Sequence, residues 1–287
     1  GKTPFGSAAR GMHRMIKNVL TIAGVDPSGG AGVLADVKVM SALGTYACAV
    51  IAALTAQNTR AVTGVLPVPA DFVTRQIDTL FDDVRIDAVK IGMLGATDVM
   101  EAVAAALERH RPRWVVLDTV MVAKSGDRLM PDASVQYFRT RLLPLAHVIT
   151  PNLPEAAVLL NREAIAPDEM PAAAEELFAL CGGRSAVYLK GGHVEDGAVS
   201  EDLFFDGREM LRLSAPRTRT KNTHGTGCSL SSALAAYLAR TGDLQLSARL
   251  AKDYISEAIA ASGALEVGSG HGPVHHFVRL WESGRNV

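Results

Sequence analysis

Cysteine, aromatic rings, a surplus of either charge and long apolar runs are all scarce in this sequence. Three cysteines, Cys48, Cys181 and Cys228, stand far apart in 287 residues. An odd, widely spaced set makes neither a disulfide framework nor a zinc motif, and it implies a reducing, cytoplasmic setting. The 29 basic residues nearly cancel the 30 acidic ones, for a net charge of −1. That balance gives no reason to expect a nucleic-acid or polyanion partner. No apolar stretch approaches the length of a membrane span, so a soluble protein without a membrane partner is expected. The N-terminal stretch GKTPFGSAARGMHRM lacks the apolar core of a signal peptide. Residues 1–16 read as a disordered extension. Pro/Ser-rich linkers, low-complexity tracts and internal repeats are missing too, which leaves residues 17–287 as one domain.

What is present is apolar material in a repeating order. Hydrophobic residues are 48% of the chain, ample for a sizeable core. NVLTIAG (18–24) reads as a strand, followed by a glycine-rich turn and a helix over 32–43. CAVIAALTA (48–56) is a second strand, and a helix near 70–82 leads to DAVKIGM (87–93). A helix over 97–110 leads to RWVVLDTVM (113–121), and one over 132–143 to AHVITPN (146–152). Helices within 153–181 lead to SAVYLKGG (185–192). Strands near 200–206 and 209–214 read as a hairpin, and two helices end the chain. Continuous apolar strands alternating with helices predict an α/β fold with a mostly parallel sheet covered on both faces. Ligands bind such sheets at the carboxyl ends of the strands. AGVDPSGGAG, TAQNT, KIGML, DTVM, TPNLPE and LKGG all fall there.

Two familiar nucleotide motifs fail on AGVDPSGGAG. Gly30 stands where a P-loop needs its lysine, and no acidic residue follows about 20 positions after the glycines as a Rossmann turn requires. The segment is either a tight strand-to-helix turn or a backbone surface lying against a substrate. Its four glycines exceed what a turn needs, which favours the second. Asp36, inside the following helix, reads on sequence alone as a solvated surface charge, with a site-facing role as the alternative. Asn152 and Glu155 have the spacing of a helix cap and capping box. The competing reading sets both near a hydrated magnesium ion; spacing alone prefers the cap. Lys190 is either a snorkelling surface lysine or a phosphate ligand. Asp118 and Thr119 end a strand, with Lys124 six residues after Asp118. Gln57 and Asn58 end another, where an amide either pairs with a heterocycle or caps a turn.

KNTHGTGCSLSSALAAYLA (221–239) is the most informative stretch. Leu230, Ala233, Leu234, Tyr237 and Leu238 mark the apolar stripe of a helix beginning near Gly225. Ser229, Ser231, Ser232, Ala235 and Ala236 form a small-residue face opposite, suited to close packing on both sides. The first-turn amides and the dipole make an anion site, and Gly225 and Gly227 let a phosphate approach. Cys228 sits where the same dipole lowers a thiol pKa, against burial and nearby phosphate charge, which raise it. An inert buried cysteine is the alternative. His271, His275 and His276 have metal-like composition, but Pro273 breaks the helical spacing, so capping or packing is expected of them.

Together these segments resemble the bacterial hydroxymethylpyrimidine/phosphomethylpyrimidine kinases of thiamine biosynthesis, within the ribokinase-like superfamily. The resemblance runs from about Lys17 to Trp281 through TIAGVDPSGGAG, TAQNT, KIGML, LDTVM, AKSG, TPNLPEA, LKGGH, KNTHGTGCSLS and EVGSGHGPVHHF. Sugar kinases of the superfamily carry Asp where Cys228 stands. The resemblance implies a ribokinase-like three-layer sandwich, ATP and Mg²⁺ as cofactors, and a homodimer. It implies phosphorylation of 4-amino-5-hydroxymethyl-2-methylpyrimidine and then of its monophosphate. Carried over, Gln57 holds the pyrimidine edge, and Gly24, Asp36, Met93 and Val120 line its pocket. Lys190, Asn152, Asp118 and Thr223 serve the nucleotide, and Glu155 with Asn152 organises Mg²⁺ through water. Gly225 and Gly227 give the anion hole, with Cys228 beside the attacking hydroxyl. The resemblance thereby overturns the cap preference at Asn152 and Glu155, although both roles can coexist. A pyridoxal or pyridoxine kinase and a non-catalytic pyrimidine-binding regulator are the alternatives.

Overall fold

The computed structural model describes residues 15–121, 130–192 and 197–281. Most of the extension at 1–16, as well as Lys124 and His193, lies outside the described residues. Nine strands form one sheet in the order β3-β2-β1-β4-β5-β6-β7-β8-β9. They are β1 (Asn18–Val25), β2 (Tyr46–Gln57), β3 (Val62–Pro67), β4 (Ala88–Ile91), β5 (Val115–Leu117), β6 (Val148–Ile149), β7 (Ala186–Lys190), β8 (Val199–Phe205) and β9 (Met210–Pro216). From β2 to β7 the neighbours run parallel. β3 pairs antiparallel on β2, and β8 and β9 extend the other edge antiparallel.

Successive strand side chains alternate between two cores, as a pleated strand requires. Val19, Ala88, Val116, Val148 and Ala186 pack on one face with α1 (Gly32–Ala42), α7 (Thr226–Thr241) and α8 (Leu244–Ala260). Leu20, Val89, Val115, Leu117, Ile149 and Val187 face the other way. There they meet α2 (Ala70–Asp83), α3 (Thr97–His110), α5 (Leu153–Leu159) and α6 (Met170–Leu180). The result is the three-layer sandwich expected. β4 is buried along its whole length, which is why its sequence reads as an unbroken apolar run apart from Lys90.

Two elements differ from the sequence reading, and a third agrees with it. β3 carries exposed Val62, Val65 and Leu66 and joins β2 through a turn capped by the Asn58 side chain, which accepts from the Arg60 and Ala61 amides. It has no buried face to give it a strand pattern. The helix expected over 132–143 is α4 (Asp132–Tyr137), continued by a wider π turn over Phe138–Leu142 and a 3₁₀ turn ending at Leu145. Pro144 cannot donate to a continuing helix. Serines 229, 231 and 232 are wholly buried, so α7 packs on both sides as its small-residue face predicts.

Candidate active site

Because β2, β1, β4, β5, β6 and β7 are parallel, their carboxyl ends share one edge. That edge presents, in order, Gln57, Val25, Met93, Asp118 to Val120, Asn152 and Lys190. The crossover from β1 goes to β2 on one side, while β4 flanks it on the other. This reversal leaves the crevice in which open α/β sheets hold ligands.

Two loops close over this crevice and are locked together. In the first, residues 24–32, the Asp26 carboxylate accepts from the Ser28 amide at 2.9 Å, the Ser28 hydroxyl at 2.7 Å and the Ala31 amide at 3.2 Å. His224 of the second loop donates to it from Nε2 at 2.8 Å. Burial works against the carboxylate, but the His224 and Ser28 hydrogen bonds outweigh it and hold Asp26 below its ordinary value. Gly225 of the second loop has φ +74°, and a Cβ there would lie 1.7 Å from the Gly30 carbonyl oxygen. No side-chain-bearing residue fits such a close approach in that conformation.

A third segment ties the second loop to the turn that follows β2. The Gly270 amide donates to the Thr59 hydroxyl at 3.1 Å, the His271 amide to the Thr59 carbonyl, and the His224 amide to the Gly272 carbonyl. His271 is exposed, but His275 and His276 are buried. The His275 ring lies beside Trp281, 5.4 Å between centroids, and the His276 carbonyl accepts from the Tyr254 hydroxyl. They pack. Burial, then Lys38 and His275, push His276 down to about 4.

α7 starts at Gly225 with no side-chain cap. Its first-turn amides therefore remain for an anion. The Lys190 ammonium points to the same turn: it lies 3.2 Å from where a Cβ on Gly227 would stand. Lys190 is thus half-buried and directed into the cradle, against the surface reading. The Thr226 hydroxyl donates to the Thr223 carbonyl at 2.7 Å, which fixes the approach.

The Cys228 sulfur accepts from the Gly32 amide at the start of α1. Burial nevertheless pushes the thiol up; Lys90 pulls it down, and Asp36 and Asp118 push it further up. The net direction is upward, opposite to the helix-dipole expectation, because the dipole's pull is smaller than the cost of enclosing a thiolate.

Asp36 is wholly buried, which corrects its reading as a surface charge. It sits under the crevice floor, with Lys90 Nζ 2.8 Å from both its oxygens. The Thr21 and Ser232 hydroxyls also donate to it, at 2.6 and 2.7 Å. Gln57 is half-buried, and its Oε1 accepts from the Thr55 hydroxyl at 3.3 Å. Met93 is 45% exposed and Val120 half-buried beside it along the edge.

Asn152 and Glu155 form a complete capping box on α5: the Asn152 side chain accepts from the Glu155 amide at 2.8 Å, and the Glu155 carboxylate from the Asn152 amide at 3.0 Å. Glu155 also accepts from the Thr119 hydroxyl and the Met121 amide, each at 3.2 Å. Burial, helped by Asp118 and opposed by Lys190, raises it to about 7. Asp118 itself is buried and accepts from Ser231 of α7 at 3.2 Å. Two neighbouring buried carboxylates carry more negative charge than Lys190 offsets. Such a donor set suits a hydrated divalent cation.

Sequence reasoning missed the His224–Asp26 contact and Lys90. A signal for Lys90 existed: a lysine within a fully apolar strand run must be paired if the run is buried. No comparable signal links His224 to Asp26, 198 residues apart.

A ribokinase-like sandwich with an uncapped helix end, a lysine and a carboxylate pair on one edge defines a small-molecule kinase. Comparison with known proteins narrows the class. The family profile for phosphomethylpyrimidine kinase matches residues 26–275, and the chain belongs to that family. It is 54% identical over 265 residues to the hydroxymethylpyrimidine/phosphomethylpyrimidine kinase of Salmonella typhimurium, covering 92% of this chain and 98% of the relative. The pyridoxal kinase of Bacillus subtilis, solved as an ADP complex, superposes with a TM-score of 0.85 at 32% identity, over 93% of this chain and 100% of the other. A phosphomethylpyrimidine kinase from Clostridium difficile superposes at 0.75 with 36% identity, over 85% and 99%.

Proposed function

We propose that the protein transfers the γ-phosphate of ATP to the hydroxymethyl group of 4-amino-5-hydroxymethyl-2-methylpyrimidine, and then phosphorylates the monophosphate to the diphosphate. The observation that carries this reading is the uncapped start of α7 at Gly225, with Cys228 in its first turn and Lys190 against Gly227. Phosphoryl transfer needs positioning and neutralisation of charge, and this corner supplies both. Gln57 reads the pyrimidine edge, with Gly24, Met93 and Val120 around the ring and Asp36 beneath it. Lys190, Asn152, Asp118 and Thr223 serve the nucleotide. Glu155 and Asn152 would hold Mg²⁺ through water, and their holding it there would supply charge neutralisation on the phosphates. The Cys228 thiolate takes the hydroxyl proton as the oxygen bonds to the γ-phosphorus and the bond to ADP breaks. Since burial raises the thiol, the thiolate is the minor form at neutral pH, and the rate rises with pH.

The unbroken sheet, with α7 and α8 packed on it, supports one kinase domain over 17–287. Tyr46, Leu54, Val62, Val65 and Leu66 expose apolar surface on β2 and β3, which supports a homodimer joined there. Free Cys48, Cys181 and Cys228 support a cytoplasmic setting. The likeness to pyridoxal kinases keeps pyridoxal as the second substrate to assay. Phosphorus NMR of products from hydroxymethylpyrimidine, ATP and Mg²⁺, run beside pyridoxal, tests the reading: mono- and diphosphate from the pyrimidine are expected. Turnover of pyridoxal alone would overturn it.

A further inference from the structure

Tyr188 of β7, Asp202 of β8 and Lys252 of α8 are buried together, and the transfer just described assigns nothing to them. The two oxygens of Asp202 have separate partners. Oδ2 accepts from the Tyr188 hydroxyl and from the Lys252 ammonium, each at 2.9 Å. Lys252 also donates to the Ser200 hydroxyl at 3.2 Å. Oδ1 accepts from the Gly191 amide at 2.9 Å. A buried ion pair adds little stability over an apolar pair of the same volume, so stability is a poor reason for a carboxylate here. The residue that Oδ1 reaches supplies a better one. Gly191 directly follows Lys190, and Lys190 stands opposite Asp202 in the antiparallel register of β7 and β8.

The main chain at Lys190 is held from two sides. The Lys190 amide donates to the Pro151 carbonyl at 2.9 Å, on the β6 side. The next amide, that of Gly191, goes to the Asp202 side chain on the β8 side, and β7 ends at Lys190. Gly191 is buried, and a Cβ on it would run into the Glu201 carbonyl, so the chain leaves the sheet hard against β8. Residues two apart in a strand share a face. Tyr188 packs in the core that holds α7 and α8, and Lys190 departs on that same face. Its ammonium reaches the first turn of α7, 3.2 Å from where a Cβ on Gly227 would stand. We propose that Asp202 is a positioning residue for the nucleotide: through the Gly191 amide it fixes the main chain that aims the Lys190 ammonium into the open start of α7. This rests on Lys190 serving the phosphates. Tyr188 and Lys252 hold the carboxylate by its other oxygen, which makes α8 part of the support.

The test compares Asp202→Asn with Asp202→Leu, both in a chain that also carries Tyr188→Phe and Lys252→Met. That background removes both partners of Oδ2 and strands no ammonium, so the two variants differ at the acceptor for Gly191. The Leu variant is expected to show a KM for ATP about tenfold above that of the Asn variant, with the pyrimidine KM the same in both. Adding Lys190→Met to each should abolish the difference, since the effect runs through that ammonium. Equal KM values for ATP in the Asn and Leu variants, with only Tm differing, overturn the proposal and leave a structural cluster. A difference that survives Lys190→Met overturns it as well. If the Leu variant does not fold, amide hydrogen exchange in the wild-type protein decides: Gly191 should be protected like the interior of β7, and exchange as fast as in an open turn overturns the proposal. The reading of Lys190 fails separately, if Lys190→Met alone leaves the KM for ATP at the wild-type value.

Discussion

Helices α5 and α7 both begin on the same edge of the sheet, and they begin in opposite ways. α5 is closed by its own residues: Asn152 and Glu155 satisfy each other's backbone amides. α7 starts at a left-handed glycine with no side chain to cap it. A helix end is open to a ligand when the sequence withholds a cap. The capped end instead spends its backbone donors internally and offers a carboxylate. One edge thereby provides an anion seat and, beside it, the negative charge that suits a cation.

Breaking the open end should cost most. Gly225→Ala forces a methyl into the Gly30 carbonyl, and the expected loss in kcat is about 10³-fold, the scale of a lost anion-hole donor; steady-state kinetics with a Tm control reads it. Near-normal turnover would mean that the uncapped end does not hold the phosphate. The closed end should behave differently. Glu155→Gln keeps the capping geometry but loses the charge. Tm should stay within a few degrees while turnover at limiting Mg²⁺ falls by about 10–100-fold, and a Mg²⁺ titration that superposes on wild type leaves α5 with a cap and nothing else. Gln57 belongs to neither helix and sharpens the contrast. Gln57→Ala should raise the pyrimidine KM about tenfold through one lost amide contact, with the KM for ATP unchanged; an effect on ATP instead would take Gln57 out of the pyrimidine pocket.

The smallest effect on turnover is expected from pH acting through the stability of the fold. His276 titrates at about 4 in the folded chain against an ordinary 6.5, so the unfolded chain binds a proton that the folded one refuses. Its contribution is complete above pH 6.5 and is lost as the pH falls from 6.5 towards 4, by about 3 kcal/mol. Thermal melts should show Tm dropping by about 5–10 °C over that range, and His276→Phe should flatten the drop. A drop of the same size in that variant would point to the carboxylates.

The parallel core was legible because β1, β4, β5, β6 and β7 are buried on both faces and the neighbours are local βα units. Helix α3 falls at the residues expected, since its apolar stripe and polar flanks agree. β3 was not legible, because exposure on both faces removes the alternation that marks a strand. The capping box at Asn152 and Glu155 was legible from three-residue spacing alone. Cys228 was read correctly as standing at a helix start, but the balance between the dipole and burial was not legible, and the structure resolves it upward. The dipole is a local feature of sequence, whereas the enclosure and the carboxylates of Asp36 and Asp118 arrive from α1 and β5. Lys90 carried a signal of needing a partner, but nothing in the sequence named Asp36, 54 residues away, as that partner.

The strap over residues 268–274 has a consequence for how the protein comes into being. It ties the Thr59 turn to a segment 211 positions later in the chain. Such a contact closes a very long loop, and long-range contacts form late. On the ribosome the sheet can begin to assemble from its first strands, but the mouth of the crevice has to wait for the strap to emerge. A nascent chain would therefore acquire its core before it acquires a working site, and phosphoryl transfer becomes a signal that synthesis has passed the strap.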